Sequence, residues 1–259
     1  YYKHDTYAVG GCVRDSLLGR TPQDWDLCTS ARPEQVLALF GEGQCIPTGL
    51  QHGTVTIKYG GQLYETTTFR TEGAYTDGRH PDEVHFVPDV RQDLARRDFT
   101  INAMAWDRDG LVDRFGGRAD LEAGLIRCVG EPTRRFQEDA LRILRGLRLA
   151  SQLDFAIHPD TAQAIREETP RLAMVARERI GGEFLRLLCG PGAGRVLLDF
   201  PQTVCEIVPQ LAPTVGFDQK NPHHAWDVYT HLVKTVEKVS PQPALRLAAL
   251  LHDVGKPAT

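Results

Sequence analysis

Residues 7–29 read Y-A-V-G-G-C-V-R-D-S-L-L-G-R-T-P-Q-D-W-D-L-C-T. An apolar run enters two glycines, a short helical stretch follows, and a second apolar run carries two aspartates two positions apart. Glycine lets the backbone approach a phosphate, and a helix starting at such a turn offers free N–H groups to an anion, with Arg14 on its first turn adding a cation. Taken alone, Gly10-Gly11 is explained by a tight strand-to-helix turn with no ligand. The aspartates change the balance. With 24–28 as a strand, Asp24 and Asp26 project from one face. Two carboxylates side by side repel unless a cation lies between them. Oxygen-only ligands suit Mg2+, and in a two-metal arrangement one ion activates the attacking oxygen while the other holds the leaving group. Trp25 and Leu27 favour a half-buried strand over a solvated acidic turn.

Outward from this stretch, the first half predicts strands at 5–9, 24–28, 53–59, 62–69, 84–87 and 101–106, with helices at 12–19 and 33–40. Glu65 lies in the β-forming run L-Y-E-T-T-T-F and is a candidate third carboxylate; the plain alternative is an acid on an exposed face. From about residue 135 the periodicity becomes helical, with further helices expected at 159–168, 177–189, 193–199, 223–239 and 243–252. The expected class is α+β: a mixed sheet with helices, then an all-α region. Gly130-Glu131-Pro132 marks the boundary, giving units of 1–130, 131–215 and 216–259. The last has too few residues to complete a helical domain and is expected to be partial.

The totals constrain less. The chain has 259 residues, 41% hydrophobic and 25% charged, with a net charge of −4, so nothing global calls for a nucleic-acid partner. No run approaches the ~20 apolar residues of a membrane span, and no signal peptide is visible. The first residue is Tyr1, which leaves an earlier address segment open. Six cysteines without a C-x-x-C pair read as buried thiols in a reducing compartment, hence cytoplasmic. Arginine outnumbers lysine 24 to 6, explained either by phosphate chemistry or by a GC-rich genome.

Two more blocks carry chemistry. Residues 96–105, R-R-D-F-T-I-N-A-M-A, are a charged turn capping a strand on the plain reading. Residues 136–150, F-Q-E-D-A-L-R-I-L-R-G-L-R-L-A, read as one helix with Arg142, Arg145 and Arg148 in a slowly rotating basic stripe. A Glu138–Arg142 ion pair accounts for much of that pattern without a ligand.

The order G-G-C-V-R-D, L-L-G, D-W-D-L-C-T-S resembles the opening signature of the class II tRNA nucleotidyltransferase and bacterial poly(A) polymerase family, within the polymerase-β-like superfamily. The resemblance implies a palm-like sheet and Mg2+-dependent transfer of a nucleoside monophosphate with loss of pyrophosphate, with Asp24, Asp26 and Glu65 as the catalytic acids. It implies nucleotide contacts at Gly10, Gly11, Arg14, Asp15, Arg97, Asp98 and Asn102. The 136–150 block is similar to the family's amino-acid template. Cytosine and adenine both set an amino donor beside a ring-nitrogen acceptor, so Asp139 would accept from the amino group and Arg142 donate to the ring. Uracil and guanine present the reverse pattern. Glu138 would orient Arg142, and Arg145 and Arg148 would hold phosphates or help place the base. A polar loop at 69–81 stands where the family's A-adding members have one, and 177–188, with Arg179, Glu183 and Phe184, resembles its helical neck. The implied partners are tRNA, CTP and ATP, with neither DNA nor a membrane.

Nine histidines occur, and four, His223, His224, His231 and His252, fall after residue 220. The run L-L-H-D-V-G-K resembles the HD phosphohydrolase superfamily, which implies a second divalent transition metal on His231, His252 and Asp253. CCA addition to tRNA is therefore the expected function. A poly(A), A-adding or CC-adding enzyme shares the same motifs. A third reading is an HD-type metal phosphohydrolase whose first half only binds nucleotide or RNA, and the intact Asp24/Asp26 pair counts against it.

Overall fold

The computed structural model describes residues 4–73, 83–218 and 226–258. The chain divides into two compact units, 1–123 with 127–130, and 124–126 with 131–259.

The first unit is built on a seven-stranded mixed sheet. Its elements are β1 (Thr6–Val9), α1 (Gly11–Leu17), β2 (Asp26–Thr29), α2 (Pro33–Phe40), β3 (Cys45–Gly49), β4 (Thr54–Tyr59), β5 (Gln62–Thr68), β6 (Arg70–Glu72), β7 (Val84–Phe86), α3 (Val90–Ala95), β8 (Met104–Asp107), β9 (Gly110–Asp113) and α4 (Gly117–Glu122). The sheet order is β3-β4-β5-β2-β1-β8-β9, and β6 pairs with β7 as a separate ribbon. Within the large sheet β2 and β5 run parallel, and the other neighbours are antiparallel. The β4–β5 hairpin closes on Gly60 and Gly61 at φ 58° and 79°, the left-handed pair that a two-residue hairpin turn requires.

Side chains alternate between the two faces. On one, Val9, Cys28 and Ala105 pack with Phe69 and with Val90 and Leu94 of α3. On the other, Val55 and Ile57 pack with Ala31, Cys45 and Val36 of α2. Burial pushes the Cys28 thiol up to about 12, and all six cysteines are unbridged.

The second unit holds β10 (Leu125–Ile126), α5 (Pro132–Glu138), α6 (Leu141–Leu153), β11 (Ala156–Ile157), α7 (Pro159–Glu168), α8 (Arg177–Leu188), α9 (Ala193–Asp199), α10 (Pro201–Ile207), α11 (Val228–Lys238) and α12 (Pro243–Leu251). α6 packs against α8 and α9, and α11 against α9 and α12. Among the described residues no helix is long and apolar enough to cross a membrane.

The α+β class is as expected, and the elements differ in detail. The strand expected at 101–106 begins instead as a tight turn at Thr100–Asn102 and becomes β8 at Met104. Asn102 N–H bonds back to Phe99 O and Ala103 N–H to Thr100 O, closing the turn, while the Thr100 hydroxyl donates to Asp120 at 2.7 Å. The single helix expected over 136–150 is two. Asp139 is extended (φ −145°, ψ 106°), and its carboxylate accepts from Leu141 N–H at 3.0 Å, starting α6. α6 is buried on nearly every side, with Arg142 only 9% exposed, so its arginines form no open basic stripe. The 69–81 loop begins as strand β6, and 74–82 lie outside the described residues, as do 219–225 with His223, His224 and the expected helix start at 223. Helices α3, α4 and α10 and strands β3, β9, β10 and β11 were not foreseen: each is short, so no periodic pattern accumulates.

Candidate active site

β2 enters the sheet at Asp26, whose neighbour across the parallel ladder is Glu65, and Glu65 in turn faces Thr56 on β4. Adjacent strands lie about 4.8 Å apart, so Asp26, Glu65 and Thr56 form one lateral row on the face that α3 covers further along. Asp24 does not sit on the strand as expected. It lies in a bend after Pro22, exposed like its neighbour Trp25, which is 39% exposed rather than half-buried. It still reaches Asp26 electrostatically. Desolvation by surrounding atoms raises the Asp26 carboxyl above the ordinary range; the Arg97 guanidinium opposes this and the Asp24 charge adds to it. Glu65 is raised too, by burial first and then by Asp26, with Arg70 opposing. Asp26 and Glu65 thus stand side by side with Asp24 in electrostatic reach of Asp26, oxygen donors of the kind a hard divalent cation takes.

The Gly10 elbow borders these acids. Gly10 has φ 81° and ψ −129°, and a Cβ placed there would come within 3.0 Å of Arg97 Nη1. Only glycine meets both conditions without strain. α1 has just seven residues, so positive charge at the elbow comes more from Arg14 and Arg97 than from the helix. Arg14 is held on both sides, by Asp15 at 2.8 Å and by donating from Nη1 to Asn102 Oδ1 at 2.7 Å. Asn102 Nδ2 faces Asp98 Oδ1 at 3.5 Å, and Asp98 accepts from Phe99 N–H at 2.8 Å. The structure thus links Arg14, Asp15, Asn102 and Asp98 in one network beside Gly10 and Gly11. Arg97 is held differently: its Nη2 lies 3.4 Å from Asp93, and its buried Nε has no partner among the described residues. Asp93 was missed by the sequence reading. The signal was there, since D-L-A-R-R places Asp93 three and four residues before Arg96 and Arg97 on a helical turn.

In the second unit, the charged residues of the 136–150 block are tied by ion pairs. Arg142 Nη1 donates to Glu138 at 2.8 Å and to Arg135 O at 3.3 Å. Arg135 binds the other Glu138 oxygen at 2.7 Å, so Glu138 is gripped from two sides. Asp139 lies 3.6 Å from Arg179 on α8. One helical turn further along α8, Glu183 pairs with Arg148 at 2.6 Å, and Arg148 also donates to Gln152 at 2.7 Å. Arg148 is thus a structural strut between α6 and α8. Arg145 follows Arg142 on α6 and is half-buried.

The C-terminal trio converges. His231, His252 and Asp253 each offer a ligand atom within 4.8 Å of the others, the one such group of three among the described residues. His231 Nε2 lies 3.2 Å from His252 Nε2, and Asp253 lies 3.5 and 3.3 Å from the two rings. Lys256 Nζ shares the same Asp253 oxygen at 2.7 Å and, with the two histidines, holds that carboxyl below its usual range. Two imidazoles and a carboxylate suit a transition metal.

Residues 6–127 match the family model of the poly A polymerase head domain, and 154–201 match one described as the probable RNA and SrmB-binding site of polymerase A. The chain is 43% identical over 242 residues to the CCA-adding enzyme of Lactobacillus johnsonii, covering 89% of this chain and 60% of the relative. It superposes on the Bacillus stearothermophilus CCA-adding enzyme in complex with CTP at 40% identity and a TM-score of 0.77, over 98% of this chain and 59% of that one. A tRNA nucleotidyltransferase complexed with a primer tRNA and an incoming ATP analogue matches at 26% identity and a TM-score of 0.67, over 96% and 72%. The chain spans only 60% of the length of that Lactobacillus relative and 59% of that Bacillus chain.

Proposed function

Because the chain belongs to the CCA-adding and poly(A) polymerase family of nucleotidyltransferases, we propose that it adds CCA to the 3′ end of tRNA from CTP and ATP. The reaction needs no nucleic-acid template and releases pyrophosphate. The observation that carries this reading is the acid row, Asp26 beside Glu65 with Asp24 close by, bordered by the Gly10 elbow and Arg97. Mg2+ bound by Asp24, Asp26 and Glu65 would supply charge neutralisation at the reacting phosphate and a more acidic 3′-hydroxyl. The terminal 3′-oxygen bonds to the α-phosphorus as the bond to the β-phosphate oxygen breaks. Gly10 and Gly11 give the triphosphate room, Arg97 meets its negative charge, and the Arg14–Asn102–Asp98 network borders the sugar. Asp139 accepts from the amino group of cytosine or adenine, while Arg142, held by Glu138, donates to the ring nitrogen. Arg179 competes for the Asp139 carboxylate and steadies it. The free thiols are consistent with a cytoplasmic, reducing setting.

The test is incubation of the protein with tRNA lacking CCA, labelled CTP or ATP, and Mg2+, followed by sizing of the product. Extension by three nucleotides supports the reading. A long adenylate tail moves the assignment to poly(A) synthesis, and no extension defeats both. The convergence of His231, His252 and Asp253 favours a second site for a divalent transition metal. Metal analysis of the protein against His231→Ala tests it: equal metal content in the two rejects the site.

A further inference from the structure

The charge pairs at the end of α3 carry an inference that rests on the nucleotide-transfer reading. The Asp93 side chain is completely buried. Its Oδ1 accepts from Arg96 Nε at 3.0 Å and Nη2 at 2.8 Å, and from Arg70 N–H at 3.2 Å. Its Oδ2 faces Arg97 Nη2 at 3.4 Å. Burial pushes its carboxyl up, and Arg96, Arg97 and the Arg70 amide outweigh that and hold it below the usual range. Asp93 is therefore an anion at neutral pH.

Arg97 is tethered through Nη2, at the corner of the guanidinium nearest α3. Its Nε is buried without an acceptor, and its Nη1 lies beside the bare backbone of Gly10. A buried N–H left unpaired forfeits its hydration without return, so such a donor calls for something that completes it. A phosphate oxygen does so well, because an N–H donated to an anion makes a short, strong bond, and Nε and Nη1, on opposite edges of the guanidinium, can each take a separate oxygen. Arg96 contrasts with it: its nitrogens reach both Asp93 and Glu72, the latter at 2.8 Å. We propose that Asp93 is a positioning residue that, by holding Arg97 Nη2, turns Arg97 Nε and Nη1 past Gly10 toward the β- and γ-phosphates of the incoming nucleotide.

Steady-state kinetics of Asp93→Asn, Arg97→Ala and the double variant test this. Asp93→Asn is expected to raise KM for CTP about tenfold with kcat changed less than threefold, and the double variant is expected to be no worse than Arg97→Ala alone. Multiplying effects in the double variant, or a fall in kcat with KM unchanged, overturns the assignment. Should Asp93→Asn not fold, the native protein still decides the matter. In arginine side-chain NMR, the Arg97 Nε–H resonance should shift and exchange more slowly on titration with inorganic pyrophosphate, and an unmoved resonance overturns the proposal. Native protein that extends no tRNA defeats the transfer reading instead, and the pyrophosphate titration still judges Arg97.

Discussion

The two units handle charge in opposite ways. In the first, Asp26 and Glu65 crowd like charges on one sheet face with Asp24 in electrostatic reach of Asp26, and the carboxyls of Asp26 and Glu65 are pushed above their ordinary range. In the second, Glu138 is held between Arg135 and Arg142, Asp139 lies beside Arg179, and Arg148 meets Glu183. An acid surface left electrostatically strained is suited to cations that arrive with substrate. Side chains locked by mutual pairing are suited to reading a fixed pattern of donors and acceptors, because their geometry does not depend on the ligand. One chain thus places crowded like charge and mutually paired charge in separate structural units.

The sharpest way to break this contrast is to remove an acid. Asp26→Ala, and likewise Asp24→Ala, should cut Mg2+-dependent incorporation by on the order of 10³-fold or more, since several kcal/mol of transition-state charge stabilisation goes with the ion. Near-native turnover of Asp24→Ala would remove it from the site, which its place in a bend outside β2 makes worth measuring. In the second unit, Arg142→Ala should reduce the preference for CTP over UTP by about 10–100-fold, read from competing kcat/KM values; unchanged selectivity refutes the reading role.

A stability experiment sharpens the same comparison. Arg148→Met should destabilise the second unit by about 2 kcal/mol, because Glu183, itself almost buried, keeps only its pairing with Arg186. Denaturant midpoints measure it, and a loss below about 0.5 kcal/mol would show that the strut matters little.

The smallest effect has the opposite sign. Glu65 is raised in the folded state, so the fold holds a proton that the unfolded chain has already released. Stability without metal must then fall as pH climbs from the ordinary carboxylate range through the raised value. Glu65→Gln removes that penalty and should raise the metal-free Tm by about 1–3 °C at neutral pH, with no gain well below the ordinary range. A lower Tm at neutral pH would show that Glu65 stabilises the sheet instead.

Much of the site was legible because its residues are close in sequence. Gly10-Gly11, Asp26 and the 96–102 run each announce themselves through local geometry or charge. Asp93 was overlooked because a single acid ahead of two arginines reads as an ordinary surface ion pair, and burial is invisible in a sequence. Asp24 was placed on the wrong element because strand limits are set by ladder hydrogen bonds, and β2 begins where Glu65 offers a partner. The break at Asp139 was hidden by apolar spacing that a continuous helix satisfies equally well.

The sequence by itself determined the residue types, their order and the periodicities that separate a strand-rich first half from a helical second half. Only the tertiary structure decided that Asp26 and Glu65, far apart along the chain, are direct neighbours, that Glu138 pairs with Arg134, Arg135 and Arg142, and that Arg97 carries a buried donor beside Gly10 that nothing among the described residues answers. The physical reason is that chemistry is written locally, whereas register, burial and electrostatic crowding arise when distant segments are brought together and water is squeezed from between them.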